Sequence, residues 1–290
     1  MQDFEGKVAV ITGAASGIGR SMALRFGREG MKLALVDLDT EALERLAIEL
    51  RETGVDVATF RTDVSSEEAM EVMASSVLER FGTAHVVCNN AGVATTGLTW
   101  DISVRDWDFV LGANIWGVIH GIRLFTPAML EQNEGHIINT ASTAGLVSSG
   151  RMASYNASKQ AVVAISETLY ADLEAEGSDV GCSVLCPGFV NTQIWDSDRL
   201  RSESDLAELA SSDGEAKAVN DMLRHGIRDL LAISMSPDVV ADRCLEAIRE
   251  KTFYIFTHEQ TVPALQERVQ QIVSGANPRQ PSAGPENFIK

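Results

Sequence analysis

The sequence predicts an α/β protein: a single domain built on one doubly wound parallel sheet with helices on both faces. Three observations carry this prediction. Short apolar runs alternate with segments of helical period along most of the chain. Gly13, Asp37, Asp63, Asn90, Ser142 and Pro187 each follow such a run, and the carboxyl ends of strands are where open α/β sheets bind ligands. With 290 residues, 45% of them hydrophobic, the chain has material for one large core.

The first strand is expected at 7–12, KVAVIT, apolar and β-branched as burial on both faces requires. A turn with Gly13, Gly17 and Gly19 leads into the helical RSMALRFGREG. Glycines let backbone turn sharply and approach a pyrophosphate, whose charge is met by N–H groups at a helix start. A second strand, 32–36, ends at Asp37, twenty-four residues beyond Gly13. An acid there accepts hydrogen bonds from an adenosine ribose and repels a 2′-phosphate. Strand, turn, helix and acid together predict dinucleotide binding.

The alternation continues with a helix at 41–52, a strand at 55–60 and a strand-end loop whose Asp63 is placed to reach an adenine amino group. A helix at 67–81, stopped by Gly82, precedes a strand at 84–88 that runs into Asn89-Asn90-Ala91-Gly92. Two amides and a glycine can hold backbone close to a flat ligand, although a plain turn has the same composition. The helical region 104–131 carries Pro127 near its last turns and Asn114. A helical Asn competes with its own backbone and costs helix stability, so Asn114 calls for an explanation, a solvated or capping amide being the plain alternative. A strand at 136–140 delivers Ser142, a helix covers 155–173, and a strand at 180–185 ends at Pro187-Gly188, with Thr192 beyond.

Ser142 lies thirteen residues before Tyr155, and Lys159 follows Tyr155 by four. Positions four apart share a helix face, so the Lys159 ammonium is expected beside the Tyr155 phenol. A neighbouring cation favours phenolate, which would bring a group of ordinary pKa near ~10 into range for acid/base work. The Ser142 hydroxyl would share the substrate oxygen.

Residues 189–236 leave the regular alternation and form the expected substrate loop or lid. Phe189, Ile194, Trp195 and the apolar 230–235 favour a bulky, uncharged substrate, and the acidic run between them reads as a solvated face. Ser236-Pro237 reads as a cap and first turn for a helix at 239–248, followed by a strand at 252–257 and a helix at 262–273. The domain is expected over 1–275, with 276–290 a Pro-rich tail poorly ordered on its own.

A net charge of -17 argues against nucleic acid and anionic membrane partners. No apolar run of spanning length and no basic leader is evident, so a cytoplasmic, untargeted protein is expected. Cys88, Cys182, Cys186 and Cys244 lack ligand spacing, so buried reduced thiols and no metal are expected.

These residues together resemble the short-chain dehydrogenase/reductase family: Thr12-Gly13-xxx-Gly17-x-Gly19, Asn89-Asn90-Ala91-Gly92, Asn114, Ser142, Tyr155-xxx-Lys159 and Pro187-Gly188, in that order over about 5–192. The resemblance implies a Rossmann-like fold of about seven parallel strands and NAD(H) or NADP(H) as hydride carrier. It implies Tyr155 as catalytic acid/base, Ser142 orienting the substrate oxygen, Lys159 on the nicotinamide ribose and Asn114 supporting a water chain. Ser16, Ile18, Val64, Ala91, Gly92, Val190 and Thr192 would complete the cofactor contacts. A 2′-phosphate needs a cation just before the second glycine or just after the second strand; Ser16 and Leu38 stand there, and Asp37 and Asp39 add negative charge. NAD(H) is therefore expected over NADP(H). The segment EAIREKTFYIFTHEQTVPALQER resembles a bacterial subgroup acting on bulky secondary alcohols, including aryl-ether Cα-dehydrogenases. The expectation is an NAD-dependent interconversion of a secondary alcohol and a ketone, in a homodimer or homotetramer joined through the two long helices. An NADPH-dependent carbonyl reductase and a non-catalytic dinucleotide sensor are the alternatives.

Overall fold

Seven parallel strands form the sheet of the computed structural model, which describes residues 1–201, 203, 206 and 215–279. Most of the expected tail (280–290) and positions 202, 204–205 and 207–214 of the acidic run lie outside the described residues. The strands are β1 (Val8–Thr12), β2 (Lys32–Asp37), β3 (Val57–Arg61), β4 (Val86–Asn89), β5 (His136–Thr140), β6 (Gly181–Cys186) and β7 (Tyr254–Phe256), in the order β3-β2-β1-β4-β5-β6-β7. The helices are α1 (Gly17–Arg28), α2 (Thr40–Glu52), α3 (Glu67–Phe81), α4 (Val104–Leu111), α5 (Gly117–Glu131), α6 (Ala153–Ala175), α7 (Glu215–Ala232), α8 (Pro237–Glu250) and α9 (Thr261–Ser274).

Side chains alternate across each strand, and both sides are apolar, so the sheet makes two cores. Ala9, Ile11, Leu33 and Leu35 face α1, α2 and α8 through Met22, Phe26, Leu46 and Cys244. Val10, Val36, Val87 and Ile137 face α3, α5 and α6 through Met70, Val77, Phe125 and Leu169. Strand polarity follows from this burial: each connection crosses back over a sheet face as a helix, so every strand delivers its last residue to the same edge. The expected strands and helices are all present, most within two residues of their expected ends.

Local chemistry sets the helix starts. Asp39, Ser66, Ser103 and Ser236 each accept a backbone N–H from the first turn of α2, α3, α4 and α8, and Pro237 occupies the first turn of α8. The long region 104–131 is α4 and α5 joined by a π-helical turn, Gly112–Trp116. Contrary to the expectation from sequence, Val104–Glu131 is long and apolar enough to cross a membrane by length and composition. It is a partly buried core helix, with Phe125 and Met129 packed against the sheet. All four cysteines are free and buried, as their apolar settings predict.

His136 opens β5 with its Nε2 2.7 Å from Ser183 Oγ. Burial, helped by the nearby N-terminal ammonium, pushes its pKa from 6.5 down to about 3. The unfolded chain takes up this proton near pH 6.5 while the folded chain resists until about 3, so stability is full above 6.5 and lost as the pH falls toward 3. His136→Gln is expected to remove on the order of 3 kcal/mol of the stability difference between about pH 7 and about pH 4. Urea midpoints of both proteins at the two pH values check this; equal acid losses would contradict it.

Candidate active site

The chain leaves β1 toward β2 and β3 but leaves β4 toward β5 to β7, so a crevice opens between β1 and β4 at their carboxyl ends. Gly13 turns there with φ +66°, and a Cβ on it would lie 2.9 Å from Ala91 Cα. No side chain fits between the two loops. Thr12 Oγ1 accepts from the backbone N–H groups of Asn90 (2.9 Å) and Ala91 (3.0 Å), and Asn90 Nδ2 donates to Thr12 O at 3.0 Å. The glycine turn and the Asn90-Ala91-Gly92 segment are thereby stitched into one floor.

At the β2 end of the cleft, Asp37 Oδ2 accepts from Ala15 N at 2.9 Å and Oδ1 from Asp39 N at 3.0 Å, which fixes the carboxylate in the cleft wall. Asp63 lines the same end, with Oδ1 accepting from Ser65 N (2.9 Å) and Ser65 Oγ (2.7 Å). Ser16 precedes α1 without making a side-chain cap, and the first turn of α1 contains no acid. The positive end of that helix therefore faces the cleft beside Gly17 and Ile18 with no side chain of its own to neutralise it.

At the other end, β5 leads to Ser142, whose hydroxyl accepts from Ala144 N at 3.1 Å and donates to Pro187 O at 3.4 Å. Tyr155 and Lys159 descend from the first turns of α6 and are buried, with 8% and 2% exposure. Lys159 Nζ donates to Thr140 O at 2.8 Å and lies 5.7 Å from the Tyr155 ring centroid. The expected net acidification of Tyr155 is overturned here. Burial pushes its pKa up to about 12 against the pull of the Ser142 hydroxyl. Burial likewise brings Lys159 down to about 8, against an upward pull from Cys186. Both side chains enter the same cleft, and desolvation is the largest effect on each.

Asn114 is fully buried in the π-helical turn, neither solvated nor capping. Its Oδ1 accepts from Val93 N (2.8 Å), and its Nδ2 donates to Val93 O (3.0 Å) and Ser158 Oγ (2.9 Å). It thus ties the segment after Gly92 to α6 at Ser158, next to Lys159. Of the residues predicted from sequence, Gly13, Ser16, Gly17, Ile18, Asp37, Asp63, Val64, Asn90, Ala91, Gly92, Ser142, Tyr155, Lys159, Pro187, Gly188, Val190 and Thr192 all line one cleft of about 1000 Å³. Asn114 and Gly19 stand behind it; Gly19 packs so closely on the Gly13 carbonyl that a Cβ would overlap it.

A second lobe continues past Tyr155. Trp195 lies 6.4 Å from the Tyr155 ring, centroid to centroid, and packs in one apolar cluster with Ala94, Leu231, Met152, Phe189 and Ile227. The 3-10 turn Ile194–Leu200 is pinned over this lobe. Ala94 N donates to Ser197 Oγ at 3.3 Å, while Arg201 is paired with Asp198 at 2.8 Å and with Asp106 of α4 and lies over the Phe109 ring. Phe109, Met152 and Arg201 escaped the sequence reading, and Thr12 entered it only as part of the glycine motif. Thr12 ends β1 and Met152 precedes α6, positions that strand-end and helix-start logic reaches; Phe109 and Arg201 belong to distant segments that only the fold brings together.

The residues fit a dinucleotide. Its ribose hydroxyls match Asp37, its pyrophosphate the uncapped start of α1, and a cradle that a Cβ on Gly17 would fill, 2.9 Å from Thr192 Cγ2, leaves backbone accessible. No group of three or more acidic, His or Cys side chains able to hold a metal occurs among the described residues.

Known proteins are similar to this chain throughout. The short chain dehydrogenase family model matches residues 7–203. A short chain dehydrogenase/reductase from Burkholderia phymatum, solved in complex with NAD, is 44% identical, with 98% of this chain and 100% of that one covered and a TM-score of 0.91. A CLA biosynthesis dehydrogenase/reductase of Lactiplantibacillus plantarum is 32% identical over 96% of this chain and 97% of its own length. A C alpha-dehydrogenase of Sphingobium sp. is 28% identical over 96% of this chain and 89% of its own.

Burying the Lys159 ammonium costs on the order of 3 kcal/mol near neutral pH, because the unfolded chain holds that proton more tightly. The penalty is complete below about 8 and fades as the pH rises to 10.5. Lys159→Met is therefore expected to stabilise the fold by about 1–2 kcal/mol net of the lost bond to Thr140. Thermal melts near neutral pH should show a higher Tm than wild type, with the gap closing near pH 10.5; a lower Tm across that range would contradict the assignment.

Proposed function

The chain belongs to the short-chain dehydrogenase family, and from that premise we propose that it is an NAD-dependent dehydrogenase interconverting a bulky, uncharged secondary alcohol and its ketone. The observation that carries this reading is the convergence of Ser142, Tyr155 and Lys159 at one end of a cleft whose other end holds Asp37. Asp37 offers two acceptor oxygens for ribose hydroxyls and repels a 2′-phosphate. Neither Ser16 nor Leu38 supplies the cation such a phosphate needs. The NAD bound in the Burkholderia phymatum relative supports the same preference.

When bound, the nicotinamide supplies the hydride acceptor or donor. Tyr155 takes the hydroxyl proton as the alcohol is oxidised and returns it when the ketone is reduced. Ser142 donates to the same oxygen and holds it against the phenol. Lys159, anchored on Thr140 O, contacts the nicotinamide ribose and supplies the positive charge that offsets the cost of a buried phenolate. Asn114 keeps the backbone at Val93 and α6 in register. The lobe lined by Trp195, Met152, Phe189 and Ile227 takes an apolar, ring-sized group and excludes water from the carbinol. The likeness to a C alpha-dehydrogenase supports an alcohol as the substrate. Exposed Trp116 and Tyr170 on the long helical stretches support assembly through those faces into a homodimer or homotetramer.

A panel of secondary alcohols and ketones, offered with NAD or NADP in both directions and followed by reduced-nicotinamide absorbance, tests this reading. Tyr155→Phe is expected to lower kcat by about a thousandfold or more while leaving NAD affinity within about threefold. Equal loss of binding and rate would point to a structural tyrosine. Asp37→Ala is expected to narrow the preference for NAD over NADP by about tenfold or more in kcat/KM; an unchanged ratio would remove Asp37 from cofactor selection.

A further inference from the structure

Pro187 and Gly188 share a peptide bond at the end of β6, and both polar ends of that bond are held by side chains from neighbouring strands' continuations. The Pro187 carbonyl accepts from Thr143 N at 2.9 Å, Thr143 Oγ1 at 3.1 Å and Ser142 Oγ at 3.4 Å, all on the β5 side. The Gly188 N–H donates to Thr257 Oγ1 at 3.1 Å, on the β7 side. Thr257 is backed in turn by His258, whose Nδ1 lies 2.7 Å from the same hydroxyl.

Thr257 and His258 are buried, at 1% and 2% exposure, and belong to no part of the site derived above. The imidazole lies flat under Gly188: a Cβ there would stand 2.7 Å from His258 Nδ1. Arg243 Nη1 donates to Phe256 O at 2.7 Å, and Thr261 N donates to His258 O at 3.2 Å, so the pair is held from both flanks. Burial first and then the Arg243 cation push the His258 pKa down, against a backbone contact with Phe189, so the ring is neutral where it supports the hydroxyl.

A peptide unit gripped at its oxygen alone can rotate about the flanking single bonds; gripped at both ends it cannot. We propose that Thr257, backed by His258, is a positioning residue that fixes the plane of the Pro187–Gly188 peptide and with it the ledge for the nicotinamide end of the cofactor. This rests on the dinucleotide reading above, with nicotinamide at the Ser142 and Tyr155 end. The hydroxyl touches neither cofactor nor substrate; it acts through the peptide that does. The carbonyl end of the same peptide is bonded to Ser142, so a loosened ledge also misplaces the serine hydroxyl that holds the substrate oxygen.

Thr257→Val keeps the shape and removes the hydroxyl. Titration calorimetry with NAD and with ADP-ribose, which lacks the nicotinamide, separates a local role from a general one. The variant is expected to bind NAD about tenfold more weakly and ADP-ribose within about twofold of wild type, with kcat reduced as well. Thr257→Ser should restore both, and Thr257→Ala, with no branched methyl to misplace, should repeat the loss. Equal weakening of both ligands, or undiminished NAD affinity, would overturn the proposal. Wild-type protein that binds neither ligand would instead overturn the dinucleotide reading on which it stands.

Discussion

A charged ammonium held out of water is the constraint on which this molecule is organised. Lys159 is buried at 2% exposure, and its Nζ donates to the carbonyl of Thr140 where β5 ends. Burial disfavours the charged form, so the site retains this cation only because the sheet supplies a carbonyl at the right height and Gly92 leaves room for it. The surrounding structure is what keeps so unfavourable a group in place. Substituting Gly92 would put a Cβ 3.4 Å from Nζ and 3.1 Å from Asn114 Oδ1.

The fold meets this demand by delivering every strand end to one edge. Parallel strands buried on both faces need helical crossovers, and the crossovers bring Gly13, Asn90, Ser142 and Pro187 to a common line. Local hydrogen bonds then replace the freedom of loops with fixed backbone. Thr12 joins the first two loops, Asn114 joins the second to α6, and the Pro187–Gly188 peptide is held from β5 and β7 alike. Rigidity of this kind is what hydride and proton transfer require, since both depend on reacting atoms being held close together before reaction.

Much of this was legible in the sequence because backbone demands leave short-range marks. A glycine turn between a strand and a helix, an acid at the next strand's end and a tyrosine and lysine one turn apart each specify local geometry without reference to the rest of the chain. Charge balance inside the cleft was not legible. The spacing of Tyr155 and Lys159 places them together, but the depth of burial, which raises one pKa and lowers the other, depends on Trp195, Leu231 and other residues far along the chain. The partners of Asn114 were not legible for a related reason: a helical amide stands out in sequence, but the π-helical turn that buries it against Val93 and Ser158 does not. The contribution of Thr257 and His258 was likewise hidden, since it exists only through pairing of β6 with β7.

The central claim, which rests on the proposed function, is that the Lys159 charge offsets part of the burial that holds the Tyr155 phenol high. Its most direct test is the pH dependence of hydride transfer in single-turnover alcohol oxidation with NAD, comparing wild type with Lys159→Met. The account predicts that the rising limb, set by the Tyr155 phenol, moves upward by about one pH unit or more once the cation is gone. Superimposable limbs in the two proteins would contradict it and leave the ammonium with a purely binding role.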